Sequence, residues 1–104
     1  MNVTAMRLKP EQIDRIRTIV AEQAGPQATV RLFGSRVDDA ARGGDVDLFV
    51  ETPEPVQEPA LLAARIAGRV SRALDERKVD VVLAAPNLMP LPIHEVARRE
   101  GVLL

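Results

Sequence analysis

Apolar positions in the 104-residue chain recur with two different periods, and the changes of period divide it into seven segments. Ile13, Ile16 and Val20 fall at helical spacing between Pro10, suited to a first helical turn, and Gly25, suited to a stop; they predict an amphipathic helix. Gln27–Phe33 (QATVRLF) follows as a short strand with Val30 and Leu32 on one face. Gly34-Ser35 ends it, Arg36–Arg42 is expected to form a short helix, and Gly43-Gly44 leads into a second strand, Asp45–Glu51. There Val46, Leu48 and Val50 alternate with Asp45, Asp47 and Phe49, the signature of one packed and one open face. TPEPVQEP carries three prolines and reads as a surface loop. Leu62, Ile66, Val70 and Leu74 step by four through Pro59–Glu76 and predict a strongly periodic helix. Val79–Ala84 (VDVVLA) is the third strand. After a proline-rich bend, Pro92–Glu100 forms a final helix closed by Gly101 at a C′ position.

The order α-β-α-β-α-β-α, without repeats or low complexity, predicts one domain over residues 1–104: an α/β or α+β fold with a small three-stranded sheet and helices packed on it. The Gly34–Gly44 connection is close to the lower limit for a crossover, so the first two strands are expected to be antiparallel or splayed, in a mixed sheet.

Composition narrows the functions. A formal net charge of -1 supplies no global basic field, and Phe33 and Phe49 are the only aromatic residues, so neither nucleic-acid binding nor a base-stacking platform is expected. The chain has no cysteine and a single histidine, His94, which excludes thiolate and histidine-rich metal sites. MNVTAMRLKPEQ lacks the apolar core of a signal peptide, and no apolar run approaches membrane-spanning length; the expected compartment is the cytoplasm, with no membrane partner.

Three features carry candidate chemistry. Gly34-Ser35 ends a strand before a predicted helix, where backbone N–H groups and the Ser35 hydroxyl can face an anion; a plain turn is the other reading. No lysine follows in the pattern of a Walker A loop. Asp45 and Asp47 lie two apart on one strand face, roughly 6–7 Å from each other. Like charges at that distance repel by about 2–2.5 kcal/mol at an effective dielectric near 20. A divalent cation turns the repulsion into attraction, and hard oxygen ligands on a rigid face suit Mg²⁺, although such acid pairs also occur on ordinary solvated strands. Two metals would clamp the attacking and leaving oxygens of a phosphoryl or nucleotidyl transfer. Asp80 interrupts a strand of valines, leucine and alanine. It either completes a carboxylate cluster or pairs with Arg77 or Lys78.

In combination, LFGSR at 32–36, GGDVDLFVE at 43–51 and VDVV at 79–82 resemble the DNA polymerase beta-like nucleotidyltransferase superfamily. The closer likeness is to the minimal nucleotidyltransferases that accompany HEPN-domain toxins in prokaryotes, and PIHEVARREGVLL at 92–104 is similar to the tail of many of them. Nine residues separate Ser35 from Asp45, one fewer than in many minimal members. The resemblance implies a polymerase beta palm-like core and ATP-dependent nucleotidyl transfer. Gly34 and Ser35 would hold the β- and γ-phosphates, Asp45 and Asp47 would bind Mg²⁺, and Asp80 would bind a second Mg²⁺ and help deprotonate an acceptor hydroxyl. Positioning and cations would supply most of the stabilisation. Arg36 is a further candidate phosphate contact, or else a surface residue pairing with Asp39.

The implied acceptor is a tyrosine hydroxyl of a HEPN-type toxin, for which the chain would act as antitoxin in a hetero-oligomer. A chain this short leaves little to build an acceptor pocket, so a separate partner would have to present the hydroxyl. The alternatives are a non-catalytic antitoxin or assembly subunit that neutralises by contact, and an aminoglycoside-type transferase acting on a small molecule. DNA polymerisation is the weakest reading, since neither a basic channel nor a template-binding domain is visible. His94 is expected at the surface or a helix end, Arg42 in an exposed loop, and Arg98 and Arg99 as solvated helix charges.

Overall fold

Pro10 opens the first helix of the computed structural model, α1 (Pro10–Ala24). The Lys9 N–H is satisfied by the Gln12 side-chain oxygen at 2.8 Å, one half of a capping box. Gly25 stops the helix with φ +104°, a conformation open to glycine at little cost, while its N–H still reaches the Ala21 carbonyl. The structure describes residues 8–33 and 45–104. The helix expected over Arg36–Arg42, and Gly34, Ser35, Arg36 and Arg42 themselves, lie outside the described residues.

Strand β1 (Thr29–Phe33) begins two residues later than its apolar pattern suggests, because a turn bonding the Ala28 N–H to the Gly25 carbonyl occupies its expected start. β2 (Val46–Glu51) and helix α2 (Pro59–Ala73) follow, then β3 (Val79–Ala84), α3 (Pro92–Glu100) and β4 (Val102–Leu103). Among the described residues the sheet has four strands rather than three, in the order β3-β2-β1-β4. The fourth is a two-residue strand pairing antiparallel with Arg31 and Leu32, too short to leave a periodic trace. β1 and β2 are antiparallel and β2 and β3 parallel, so the sheet is mixed as expected. The helical crossover through α2 is what permits the parallel pair.

The packed face of β2 is as the alternation implies. Val46, Leu48 and Val50 join Val30 and Val79 from the flanking strands, Ile16 and Val20 from α1, and Ile66, Val70 and Leu74 from α2 and its cap, all buried. Each such side chain contributes about 1.5–3 kcal/mol on leaving water. The other face is not open throughout. Phe49 is fully buried there with Ala84 and Ala97, flanked by Phe33 and Val82, because α3 lies across that half of the sheet. The described residues thus form three layers, α1 and α2, the sheet, and α3, and among them nothing from α3 covers the beginning of the polar face of β2.

Two helix ends depart from expectation. α2 stops at Ala73 rather than Glu76: Asp75 and Glu76 take left-handed backbone angles, φ +60° and +66°, and the Glu76 N–H folds back to the Ser71 carbonyl. Gly101 is not left-handed; its φ of -77° is open to any residue. It is needed for space. A methyl group there would lie 2.5 Å from the Ala97 carbonyl oxygen and 3.3 Å from that of Leu32, where α3 turns directly into β4.

Candidate active site

The register of the three longer strands decides where the acids go. Phe33 is opposite Asp47 across the β1–β2 ladder, and Asp47 is opposite Asp80 across the β2–β3 ladder. Phe33, Asp47 and Asp80 therefore form one row across the sheet, with the two aspartates on neighbouring strands about 4.8 Å apart. Residues on the same face of each strand confirm the side: Phe49 and Val82, two positions along, pack on the α3 face. Phe33 flanks the apolar cluster under α3, and the two aspartates continue its row outside that cluster. Asp47 is half-buried and Asp80 exposed.

Asp45 directly precedes β2 rather than lying within it. The Val46 N–H donates to the Lys78 carbonyl at 2.9 Å, which carries the parallel pairing one step beyond the strand ends. Asp45 and Lys78 flank that step, and Lys78 Nζ lies 4.0 Å from Asp45 Oδ2. Lys78, one of the two cations considered as partners for Asp80, thus lies beside the first aspartate instead. Both side chains are largely exposed, 68% and 56%, so the repulsion reckoned between Asp45 and Asp47 is screened by solvent as well as offset by Lys78.

Asp47 and Asp80, by contrast, are held side by side by backbone hydrogen bonds. Two unit charges at the strand spacing would repel by about 3.5 kcal/mol at an effective dielectric near 20, and by less here because Asp80 is exposed to solvent. Their donor set, hard oxygens fixed on rigid strands, fits a magnesium ion that keeps water and phosphate oxygens as its other ligands. Among the described residues no group of three or more histidine, cysteine, aspartate or glutamate side chains is gathered closely enough to hold a metal by itself. The structure brings Asp47 and Asp80 together and sets Asp45 at their edge. Gly34 and Ser35 follow Phe33 immediately in the chain, so β1 ends at the same row as the acids.

At the far end of the sheet a second polar group has a different character. Glu51 accepts hydrogen bonds from Arg31 Nη1 at 2.9 Å and from Arg98 Nε at 2.8 Å. The Arg98 guanidinium also lies 5.5 Å from the centre of the Phe49 ring. Arg98 is therefore a strut between α3 and the sheet rather than a solvated charge. Arg99 remains exposed, 3.8 Å from Glu100. His94 is at a helix end, as expected, but is buried instead of lying at the surface. Its Nδ1 accepts the Leu91 N–H at 3.2 Å, and its ring lies 5.5 Å from that of Phe49. With Nδ1 an acceptor, a neutral ring carries its proton on Nε2. These contacts make His94 and Arg98 structural supports of Phe49, whose ring centre lies 6.5 Å from that of Phe33, nearly perpendicular to it, in the row of the aspartates. Nothing in helical periodicity marks them, because their partner lies on a strand forty-five or more residues away.

The loop between β2 and α2 is a connection, as its prolines indicate. Asn87 clamps it by accepting the Val56 N–H at 2.9 Å and donating to the Val56 carbonyl at 2.8 Å. Thr52, which begins this loop, lies five positions beyond Asp47, about 16 Å along the strand. Among the described residues no helix is long and apolar enough to cross a membrane.

Compared one by one with curated proteins, the chain finds no match. A family model described as a nucleotidyltransferase domain matches residues 13–101, from the first turn of α1 to the glycine after α3. That span takes in β1, β2 and β3, the paired aspartates of β2 and β3, and the glycine-serine pair that follows β1 in the sequence, and the chain belongs to this family of transferases.

Proposed function

We propose that the protein transfers AMP from ATP to a hydroxyl group, a tyrosine of a HEPN-type toxin, and so acts as its antitoxin. The observation that carries the reading is the register that sets Asp47 beside Asp80 at the end of the sheet where β1 gives way to Gly34-Ser35. A carboxylate pair next to a phosphate-binding turn is the equipment of nucleotidyl transfer. Gly34 and Ser35 grip the β- and γ-phosphates, with Arg36 as an additional contact. Asp45, Asp47 and Asp80 would hold Mg²⁺, which when bound neutralises the phosphate oxygens and lowers the barrier to attack. The acceptor oxygen forms a bond to the α-phosphorus, the bond to the β-phosphate oxygen breaks, and pyrophosphate leaves. Asp80, the more exposed carboxylate, takes the proton of the acceptor hydroxyl.

A protein acceptor is favoured because the face bearing the acids is otherwise used by α3, and no second layer of chain forms an acceptor pocket above the row among the described residues. The test is co-expression with the neighbouring gene product, addition of ATP labelled at the α-phosphate with Mg²⁺, and location of the label by mass. Label on a tyrosine of the partner is the expected result, and Asp47→Asn abolishes it. Full neutralisation of the partner without ATP, retained in Asp47→Asn, would mean that the protein acts by contact alone.

A further inference from the structure

Among the described residues two polar side chains are buried, Thr52 at 8% exposure and His94 at 4%, and both line the same cavity. It holds about 230 Å³ between the ends of β2 and β3 and the start of α3. Alanine, proline and leucine side chains from residues 84–90 form its apolar wall, and Glu51 and Arg98 complete the lining. Hydrogen bonding leaves the polar part of that lining one-sided. Glu51 has spent both carboxylate oxygens, Oε1 on Arg31 and Oε2 on Arg98. Thr52 Oγ1 accepts the Glu54 N–H at 3.3 Å, which leaves the hydroxyl proton to donate. His94 Nδ1 accepts the Leu91 N–H, so Nε2 carries the proton of the neutral ring. That Nε2–H has no acceptor among the described residues and is not enclosed by protein, so it opens on the cavity. Arg98 engages Glu51 through Nε and Glu95 through Nη1 at 3.4 Å, leaving Nη2 to spare.

We propose that this cavity is a second binding site, for a small organic carboxylate whose oxygens accept from Thr52, His94 and Arg98 and whose apolar body lies against the alanine, proline and leucine wall. The donors call for an acceptor, because buried polar groups are rarely left without one. They call for a carboxylate in particular, since a planar pair of oxygens takes two donors at once and a guanidinium strengthens each bond it gives to an anion. The volume corresponds to about seven heavy atoms at roughly 30 Å³ each, more than an inorganic anion fills and enough for a short acyl chain. The cavity is also held in shape without a ligand. Asn87 ties its wall to Val56 by two hydrogen bonds, and the arginine bonds fix Glu51. Thr52 lies roughly 16 Å from Asp47 along the strand direction, so the site is separate from the aspartates and does not depend on what they do.

The chain has a single histidine, so the imidazole nitrogen signals in a nitrogen-15 correlation spectrum belong to His94 alone and report on the cavity directly. Butyrate, with six heavy atoms, is the probe, and butyramide is its uncharged match in shape. At about pH 8, where butyrate is ionised and imidazole rings are mostly neutral, the free protein should show the proton on Nε2. Adding butyrate should move the Nε2 signal along a saturating curve with a dissociation constant of about a millimolar. Butyramide should bind at least about fivefold more weakly, having lost the charge-assisted bonds. Thr52→Val, which removes the hydroxyl and keeps the shape, should weaken butyrate about fivefold, and Thr52→Ser should restore it to within about twofold. A proton found on Nδ1, a shift that never saturates, or equal affinity for butyrate and butyramide overturns the proposal, each in the unaltered protein. Full butyrate affinity in a folded Thr52→Val variant does the same.

Discussion

Replacing Gly101 by alanine sets two physical arguments against each other, and they differ in sign. On backbone grounds the change is favourable: φ -77° and ψ 159° suit any residue, and alanine restricts the unfolded chain, a gain of about 0.4–1 kcal/mol. On steric grounds it is unfavourable. The added methyl would meet the Ala97 carbonyl oxygen at 2.5 Å, the Arg31 Cβ at 3.2 Å and the Leu32 carbonyl oxygen at 3.3 Å. No side-chain rotation relieves these contacts, since two are main-chain oxygens and the third is a Cβ. The Ala97 oxygen is further fixed by accepting the Gly101 N–H at 2.8 Å, and Leu32 by its pairing with Val102. Relief requires α3 and β4 to move away from β1 by roughly half an ångström, and forced repacking of this kind costs about 1–3 kcal/mol. The steric cost exceeds the entropic gain, leaving a net loss of about 1–2 kcal/mol. In a domain of this size that lowers the midpoint of thermal unfolding by roughly 5–15 °C. Urea denaturation followed by far-ultraviolet circular dichroism should show a lower midpoint with an unchanged slope. A variant as stable as the original, or more so, would refute the close approach of α3 to β1 and leave only the backbone argument.

Phe49→Ala should cost about 3–5 kcal/mol in the same urea assay, since the ring is fully buried and is the common partner of Phe33, His94 and Arg98; a loss under about 1 kcal/mol would mean that α3 is not seated on it. Glu76→Gly should raise stability by about 0.5–1 kcal/mol by relieving a left-handed backbone at a residue with a Cβ, and a decrease would show that the turn after α2 is not built this way. Asp47→Asn should abolish α-phosphate transfer in the labelling assay, and retained labelling would remove Asp47 from the site.

What the sequence discloses and what it hides follow from the range of the interactions involved. Leu62, Ile66, Val70 and Leu74 announce α2 because a four-residue step repeats on one face of one element. Val46, Leu48 and Val50 likewise reveal the packed side of β2. Phe49 breaks the inference that the other side is open, since whether an apolar residue on a polar face is covered depends on a helix that begins more than forty residues later. β4 is invisible for the opposite reason: two residues are too few for a period, and they become a strand only because Gly101 lets α3 approach β1. Asp80 is conspicuous as an acid among valines, yet its position beside Asp47 requires a parallel register that no local pattern specifies. Lys78 stands out in the sequence only as a neighbour of Asp80, one of fourteen lysines and arginines. Its pairing with Asp45 emerges only when β2 and β3 are laid side by side.

The order β3-β2-β1-β4 places the two facing aspartates on strands of unequal permanence. β2 is hydrogen-bonded on both sides, so the amide protons flanking Asp47 exchange with solvent only when the sheet as a whole comes apart. Among the described residues β3 is bonded on one side, and such a strand frays from its rim more readily. One aspartate is thus carried by a strand held from both sides and the other, among the described residues, by a strand held from one, so the second is the easier to displace.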